Sequence, residues 1–323
     1  MKSFRLTKIL ALTSMFGLAI SGCAGSEGDT SSTDQELTSV NVGVIPVVDV
    51  APVYLGIEEG IFEQHGLEVT PTVAQGGAAI IPGVESGDFD FGFSNVTSLI
   101  LGSAQGLPLK IVAPGPQTTG KINDDYASIM VAQDSNIASV NDLAGKRVAV
   151  NTLNNITDTL LKEAMHQAGG DPDSIELVEV AYPEMPGMLE NGNVDAIFVA
   201  EPFQTIAGET GAHSVYSPFV QPVEDLMIST YFTTEKTLQD APEVVEQFTA
   251  AIKEAQEFAE QHPEKTRAVL DDYLELEPSV VEELVLPKFP QDINQDSTQQ
   301  LIDLAVTYDL IPEPVDLNSL LAE

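Results

Sequence analysis

The chain has 323 residues, 43% of them hydrophobic, with 13 basic and 50 acidic side chains and a net charge of −37. That length and apolar content allow two modest lobes or one large domain, and a mean hydropathy near zero excludes an integral membrane protein. The acid excess excludes nucleic acid and anionic lipid as partners, because neutralising phosphate needs a basic face; it suits the solvated surface of an exported protein.

The first predicted element is an address. Lys2, Arg5 and Lys8 precede an apolar stretch over residues 9–20. It is too short for a membrane span of roughly 20 residues and right for a signal-peptide core. Ile20-Ser21-Gly22-Cys23 then resembles a bacterial lipobox. The resemblance implies cleavage before Cys23, lipidation of its thiol and a place on the outer face of the cell membrane. Cys23 is the only cysteine, so an internal disulfide or a thiolate metal site is excluded. Cleavage removes three of the 13 basic residues and none of the 50 acidic ones, leaving a net charge of −40. Residues 23–39 are small, polar and acidic and read as a flexible tether.

From Val40 onward, short β-branched runs alternate with helical stretches. NVGVIPVV (41–48) reads as a strand, 53–64 as a helix stopped by Gly66, and LEVTPTV (67–73) as a strand. Gly76-Gly77 opens a helix, FDFGF (89–93) is a strand, 96–105 a helix, and LKIVAP (109–114) a strand. The same alternation continues in a second block, where SIMVAQ, KRVAVN, IELVEVAY and DAIFVA read as strands and 157–168 as a helix. Glu85 to Phe93 (ESGDFDFGF) matches Glu190 to Phe198 (ENGNVDAIF) at an offset of 105 residues. The expectation is an α/β protein of two similar lobes, each a mostly parallel sheet flanked by helices. The tail from Thr233 reads as helical. Val244, Val245, Phe248, Ala251, Ile252, Ala255, Phe258 and Ala259 recur at helical spacing between Pro242 and His262-Pro263, a stripe that faces a core.

In such sheets ligands bind beyond the carboxyl ends of strands, where helix N-termini offer free N–H groups. The strand-to-helix loops here are 46–52, 75–77, 94–95, 151–155 and 201–203. Gly76 and Gly77 allow close backbone approach. Ser94, Asn95, Thr152, Asn154 and Asn155 can cap helices and still reach outward. Each residue type also starts a helix without any ligand, so the case for a site is collective.

VGVIPVVDVAPVYLGIEEGIFEQHGLEV, GGAAIIPGVESGDFDFGFSN, AGKRVAVNTLNN and AYPEMPGMLENGNVDAIFVAEPF resemble the substrate-binding proteins of sulfonate, nitrate and taurine importers, a family that includes binders of the thiamine pyrimidine precursor. The likeness runs over about residues 40–310. It implies a two-lobed type II periplasmic-binding-protein fold, with residues 40–125 and 225–323 in lobe 1, 126–224 in lobe 2, and the C-terminal helices packed on lobe 1. It implies hinge closure on a solute, with Asp49, Gly76, Gly77, Ser94, Asn95, Asn154, Asn155 and Glu201 lining the cleft. It also implies ABC permease and ATPase partners, a monomer and no cofactor. Tyr54 and Tyr182 are candidates to stack on a ring, as is Phe203, while Phe93 suits the core.

These loops hold Asp49 and Glu201 and no Lys or Arg. Two carboxylates work against a lone anion and favour N–H donors or a cationic group. An aminosulfonate or an amino-pyrimidine fits that better than nitrate, although helix N-termini alone can hold a sulfonate. Glu201→Ala and Asn155→Ala are each expected to weaken binding with little loss of stability.

Other classes lack their chemistry. A pyrimidine-synthase-like enzyme resembles this fold but carries a cysteine cluster and a cofactor-binding lysine. Gly92-Phe93-Ser94-Asn95-Val96 lacks the second glycine of a nucleophile elbow. Gly145-Lys146-Arg147 lacks the spacing of a P-loop, and the four histidines are scattered without a zinc motif. The remaining alternative is a surface lipoprotein with an adhesive or structural role, which predicts an apolar patch rather than converging polar loops.

Overall fold

The computed structural model describes residues 36–322; the signal segment and Cys23 lie outside them. Ten strands form two five-stranded sheets. They are β1 (Thr38–Val44), β2 (Leu67–Val73), β3 (Phe91–Asn95), β4 (Leu109–Pro114), β5 (Ala127–Val131), β6 (Arg147–Val150), β7 (Glu176–Glu179), β8 (Ala196–Ala200), β9 (His213–Tyr216) and β10 (Ser229–Thr234). The first sheet runs β2-β1-β3-β10-β4 and the second β7-β6-β8-β5-β9. In each, one strand is antiparallel to its neighbours: β10 in the first and β5 in the second.

The two orders correspond position by position, and the internal match read in the sequence is their signature. Gly87 and Gly192 end their helices with positive φ, at 83° and 67°, which a side chain would strain. The next aspartates then make the same bonds. Asp90 Oδ2 accepts from Asn41 N at 2.8 Å, and Asp195 Oδ2 accepts from Arg147 N at 2.9 Å. The Asp90 and Asp195 N–H groups return to the Asn41 and Arg147 carbonyls at 2.9 and 2.8 Å. Each aspartate thus ties the start of the following strand to its parallel neighbour, β3 to β1 and β8 to β6.

Several boundaries differ from the sequence reading. Strand β1 begins at Thr38, so residues 38 and 39 are strand rather than tether. The helix expected over 53–64 is two pieces, Ala51–Glu58 and Ile61–Gln64, because Gly60 takes a left-handed φ of 68°. Strands β9 and β10 lie where no strand is expected from sequence. Ser229–Thr234 is a fully buried strand between β3 and β4 of the first sheet, where the sequence reads only the approach to a helical tail.

The chain crosses between the sheets twice, along 115–126 and 217–228. These crossovers run side by side, with Thr118 N donating to Leu226 O at 3.0 Å and Ile228 N to Pro116 O at 3.1 Å. The apolar stripe of the Pro242–Gln261 helix packs on the first sheet as its periodicity predicts. Phe248 stacks on Phe91 with ring centroids 3.9 Å apart. Burying such a ring is worth about 2–3 kcal/mol.

Candidate ligand-binding cleft

The helices Val96–Ala104 and Ile156–Gln167, one from each lobe, begin close to each other. Asn95, in extended backbone, accepts from Ser98 N at 2.9 Å and so satisfies one free donor of its first turn. Asn155 starts the other helix, with Asp158 accepting from Asn154 N at 2.6 Å and Asn155 N at 2.5 Å. The Asn155 side chain then crosses between lobes: its Nδ2 donates to Ser98 Oγ at 2.9 Å.

Gly77 lies tight against Ser94. A Cβ there would stand 2.5 Å from Ser94 Oγ and 2.9 Å from its Cα, so only glycine allows this approach. Gly76 faces the other lobe, where a Cβ would meet Thr152 Oγ1 at 3.5 Å.

Between these loops lies a cavity of about 30 Å³, lined by Asp49, Gly77, Asn95, Asn151, Tyr182 and Phe219 among others. Little free space is left between the two lobes. A larger groove of about 650 Å³ opens on lobe 1 beside Val112, Leu238 and Pro242. Its lining is mostly aliphatic and includes none of the buried polar atoms that lack a partner. The small cavity is therefore the better candidate.

The chemistry of the cavity centres on Asp49. It is 5% exposed, and its Oδ1 has no hydrogen-bond partner. Burial pushes its carboxyl up to about 7, with its own N–H relieving part of the shift and Asp125 adding to it. Asp125 is also raised by burial; its Oδ1 accepts from Thr119 N at 2.7 Å, and its Oδ2 has no partner. The phenols of Tyr126, Tyr182 and Tyr231 are held above their ordinary values, by burial first and by the Asp49 charge next. Tyr126 and Tyr231 hydroxyls are buried without partners, as is Ser94 Oγ.

Of the residues predicted from sequence, Asp49, Gly77, Asn95 and Tyr182 line the cavity. Gly76, Ser94, Thr152 and Asn155 belong to the surrounding loops, where they space or tie the lobes. Asn154 is exposed, with φ of 52°, and contributes its N–H to Asp158.

Glu201 and Tyr54 are not among the residues that line the cavity. Glu201 is fully buried away from the cavity lining, and four donors occupy its carboxylate. Thr205 Oγ1 donates at 2.9 Å, Thr205 N at 3.1 Å, and Gln204 Nε2 and Val285 N at 3.2 Å each. It fastens the start of the Phe203–Glu209 helix to the C-terminal segment. Tyr54 stacks on Tyr273 at 3.9 Å and does not line the cavity. Phe93 is core, packed on Tyr231 at 5.2 Å. Phe203 stacks on Tyr182 at 6.2 Å.

Sequence reasoning missed Phe219 and Ile228, which line the cavity from the second crossover, Ser229, which lines it from the start of β10, and Asp125 and Tyr126, which end the first crossover and interact with Asp49. Neither crossover has helical or strand periodicity to mark it. Among the described residues no cluster of His, Cys, Asp or Glu is placed to hold a metal, and no helix is long and apolar enough to cross a membrane.

Two sheets of matching order, flanked by helices and joined by two crossovers, form a type II periplasmic-binding-protein fold. Residues 47–266 match the family model described as NMT1/THI5 like, so the chain belongs to that family. A Bacillus subtilis (strain 168) protein, provisionally named an aliphatic sulfonates-binding protein, is 25% identical over 283 residues, covering 86% of this chain and 81% of its own. The periplasmic aliphatic sulphonate binding protein SsuA from Escherichia coli superposes with a TM-score of 0.72 at 20% identity, covering 88% of this chain and 97% of that one. The periplasmic nitrate-binding protein NrtA from Synechocystis PCC 6803 gives 0.73 at 13% identity, with 88% and 84% covered.

Proposed function

We propose that this protein is the extracytoplasmic solute-binding component of an ABC-type importer. It captures a small organic solute, sulfonate/taurine-like or amino-pyrimidine-like, between its lobes and hands it to a permease and its ATPase. The observation that carries this reading is the cavity between the lobes, with a partnerless buried carboxylate at its wall and helix starts from both lobes around it. The names of its relatives agree with it. The little free space between the lobes is consistent with uptake by parting of the lobes. The two paired crossovers supply the hinge, and the Asn155–Ser98 bond is broken on opening and remade on closure.

Thermal unfolding against taurine, alkanesulfonates, nitrate, amino-pyrimidines and riboflavin tests the reading. A ligand at about 100 times its Kd adds roughly 2.7 kcal/mol and raises the midpoint by roughly 5–10 °C. No shift with any solute would sink it.

The lipobox reading adds that the body is tethered to the membrane as a monomer through a lipid on Cys23. Cys23→Ser is expected to move the protein from the membrane pellet to the soluble fraction. A variant that still pellets contradicts the anchor and leaves the solute-binding reading standing.

A further inference from the structure

Resting on that reading, we infer that the solute carries an N–H-bearing organic cation, a protonated amine, which the closed cleft seats between the Asp49 carboxylate and the aromatic rings beside it. Several independent observations point the same way. Asp49 is more than nine-tenths buried, lines the cavity and leaves Oδ1 without a donor from the protein. A native fold rarely leaves a buried carboxylate oxygen unsatisfied, because the desolvation cost is several kcal/mol unless a donor arrives. Among the described residues no Lys, Arg or His lines the cavity, so none of them brings a cation to this carboxylate. Asp125, just behind it, adds negative charge rather than neutralising it.

The rings supply the rest. Tyr182 and Phe219 line the cavity, and the Tyr126 ring packs on Phe219 at 5.5 Å. Aromatic faces attract a desolvated ammonium through their quadrupole. A lone oxyanion meets the opposite conditions: a carboxylate at the wall and no fixed positive side chain, with only the helix starts to hold it. The unpaired Oδ1 calls for a hydrogen-bond donor, so an amine with at least one N–H satisfies it and a quaternary ammonium does not.

The test compares solutes that differ only in the amine, using the purified full chain and calorimetric titration at pH 8. Matched pairs are taurine against isethionate, benzylamine against benzyl alcohol, and an aminomethyl-pyrimidine against its hydroxymethyl counterpart. The expected result is at least one amine binding tenfold or more tighter than its hydroxyl partner, with Asp49→Asn reducing that ratio to about threefold or less. A wild-type readout guards against a misfolded variant. Asp49 faces Asp125, Tyr126, Tyr182, Tyr231 and Tyr273. The phenols stay neutral below pH 8, so the carboxylates alone titrate, and amine affinity should fall by about tenfold per pH unit below 7. Amine-free sulfonates, nitrate or the hydroxyl partners binding as tightly as the amines overturn the inference and leave the importer reading intact. No binding by any solute, with or without an amine, overturns both.

Discussion

Asp49→Asn raises the thermal midpoint of the ligand-free protein at pH 8 by roughly 5–10 °C and leaves it nearly unchanged at pH 4. The sign follows from the direction of the shift. Burial moves the Asp49 carboxyl from an ordinary 3.8 to about 7. Between those values the folded chain keeps a proton that the unfolded chain has lost, so stability falls as pH rises through that window. Well above pH 7 the folded state carries the full cost of a buried carboxylate with one unsatisfied oxygen, on the order of 4 kcal/mol. Below pH 4 both states are neutral and the cost vanishes. Asparagine keeps the shape and cannot ionise, so it removes the cost where it exists. Unfolding curves for both proteins across pH 4–8 decide the matter, and a gain independent of pH contradicts this account. The same substitution is expected to damage capture of an amine, so stability and function pull in opposite directions at this residue.

Glu201→Ala has the opposite signature. Its carboxylate accepts from Thr205 N, Thr205 Oγ1, Gln204 Nε2 and Val285 N in a site closed to solvent. Truncation strands these buried donors, and breaking such a network costs about 3–5 kcal/mol. The midpoint should fall by roughly 6–15 °C. Solute affinity of the protein that remains folded should stay within about threefold of wild type, because Glu201 does not line the cavity. Thermal unfolding paired with titration at a temperature where the variant is folded separates the two effects. Lost affinity with unchanged stability, the outcome expected from sequence, restores Glu201 to the ligand site. A carboxylate at a strand-to-helix loop looks the same in sequence whether it serves a ligand or the helix start beside it.

The candidate site was legible only where local chemistry fixes it. Asp49, Gly77 and Asn95 stand in loops that a strand and a following helix define, and the strand–helix alternation marks such loops. Asp125, Tyr126, Phe219 and Ser229 reach the same place from segments far apart in the chain, and no periodicity announces them. The β10 strand is hidden for a related reason. Its residues are buried on both faces, so the alternation that marks a half-buried strand is missing.

By itself the sequence determined the two-lobed α/β class, the apolar face of the Pro242–Gln261 helix and the repeat about Asp90 and Asp195. Each of these is written in neighbouring residues, through hydrophobic period and turn glycines. Tertiary structure alone decided which carboxylate faces the cavity. Asp49 and Glu201 both precede helices, yet Asp49 keeps one oxygen without a donor while Glu201 meets four. Gln204 and Thr205 donate to Glu201 from the helix start beside it, and Val285, 84 residues further on, is the partner that only the folded chain brings within hydrogen-bond range. A buried charge takes its role from what surrounds it.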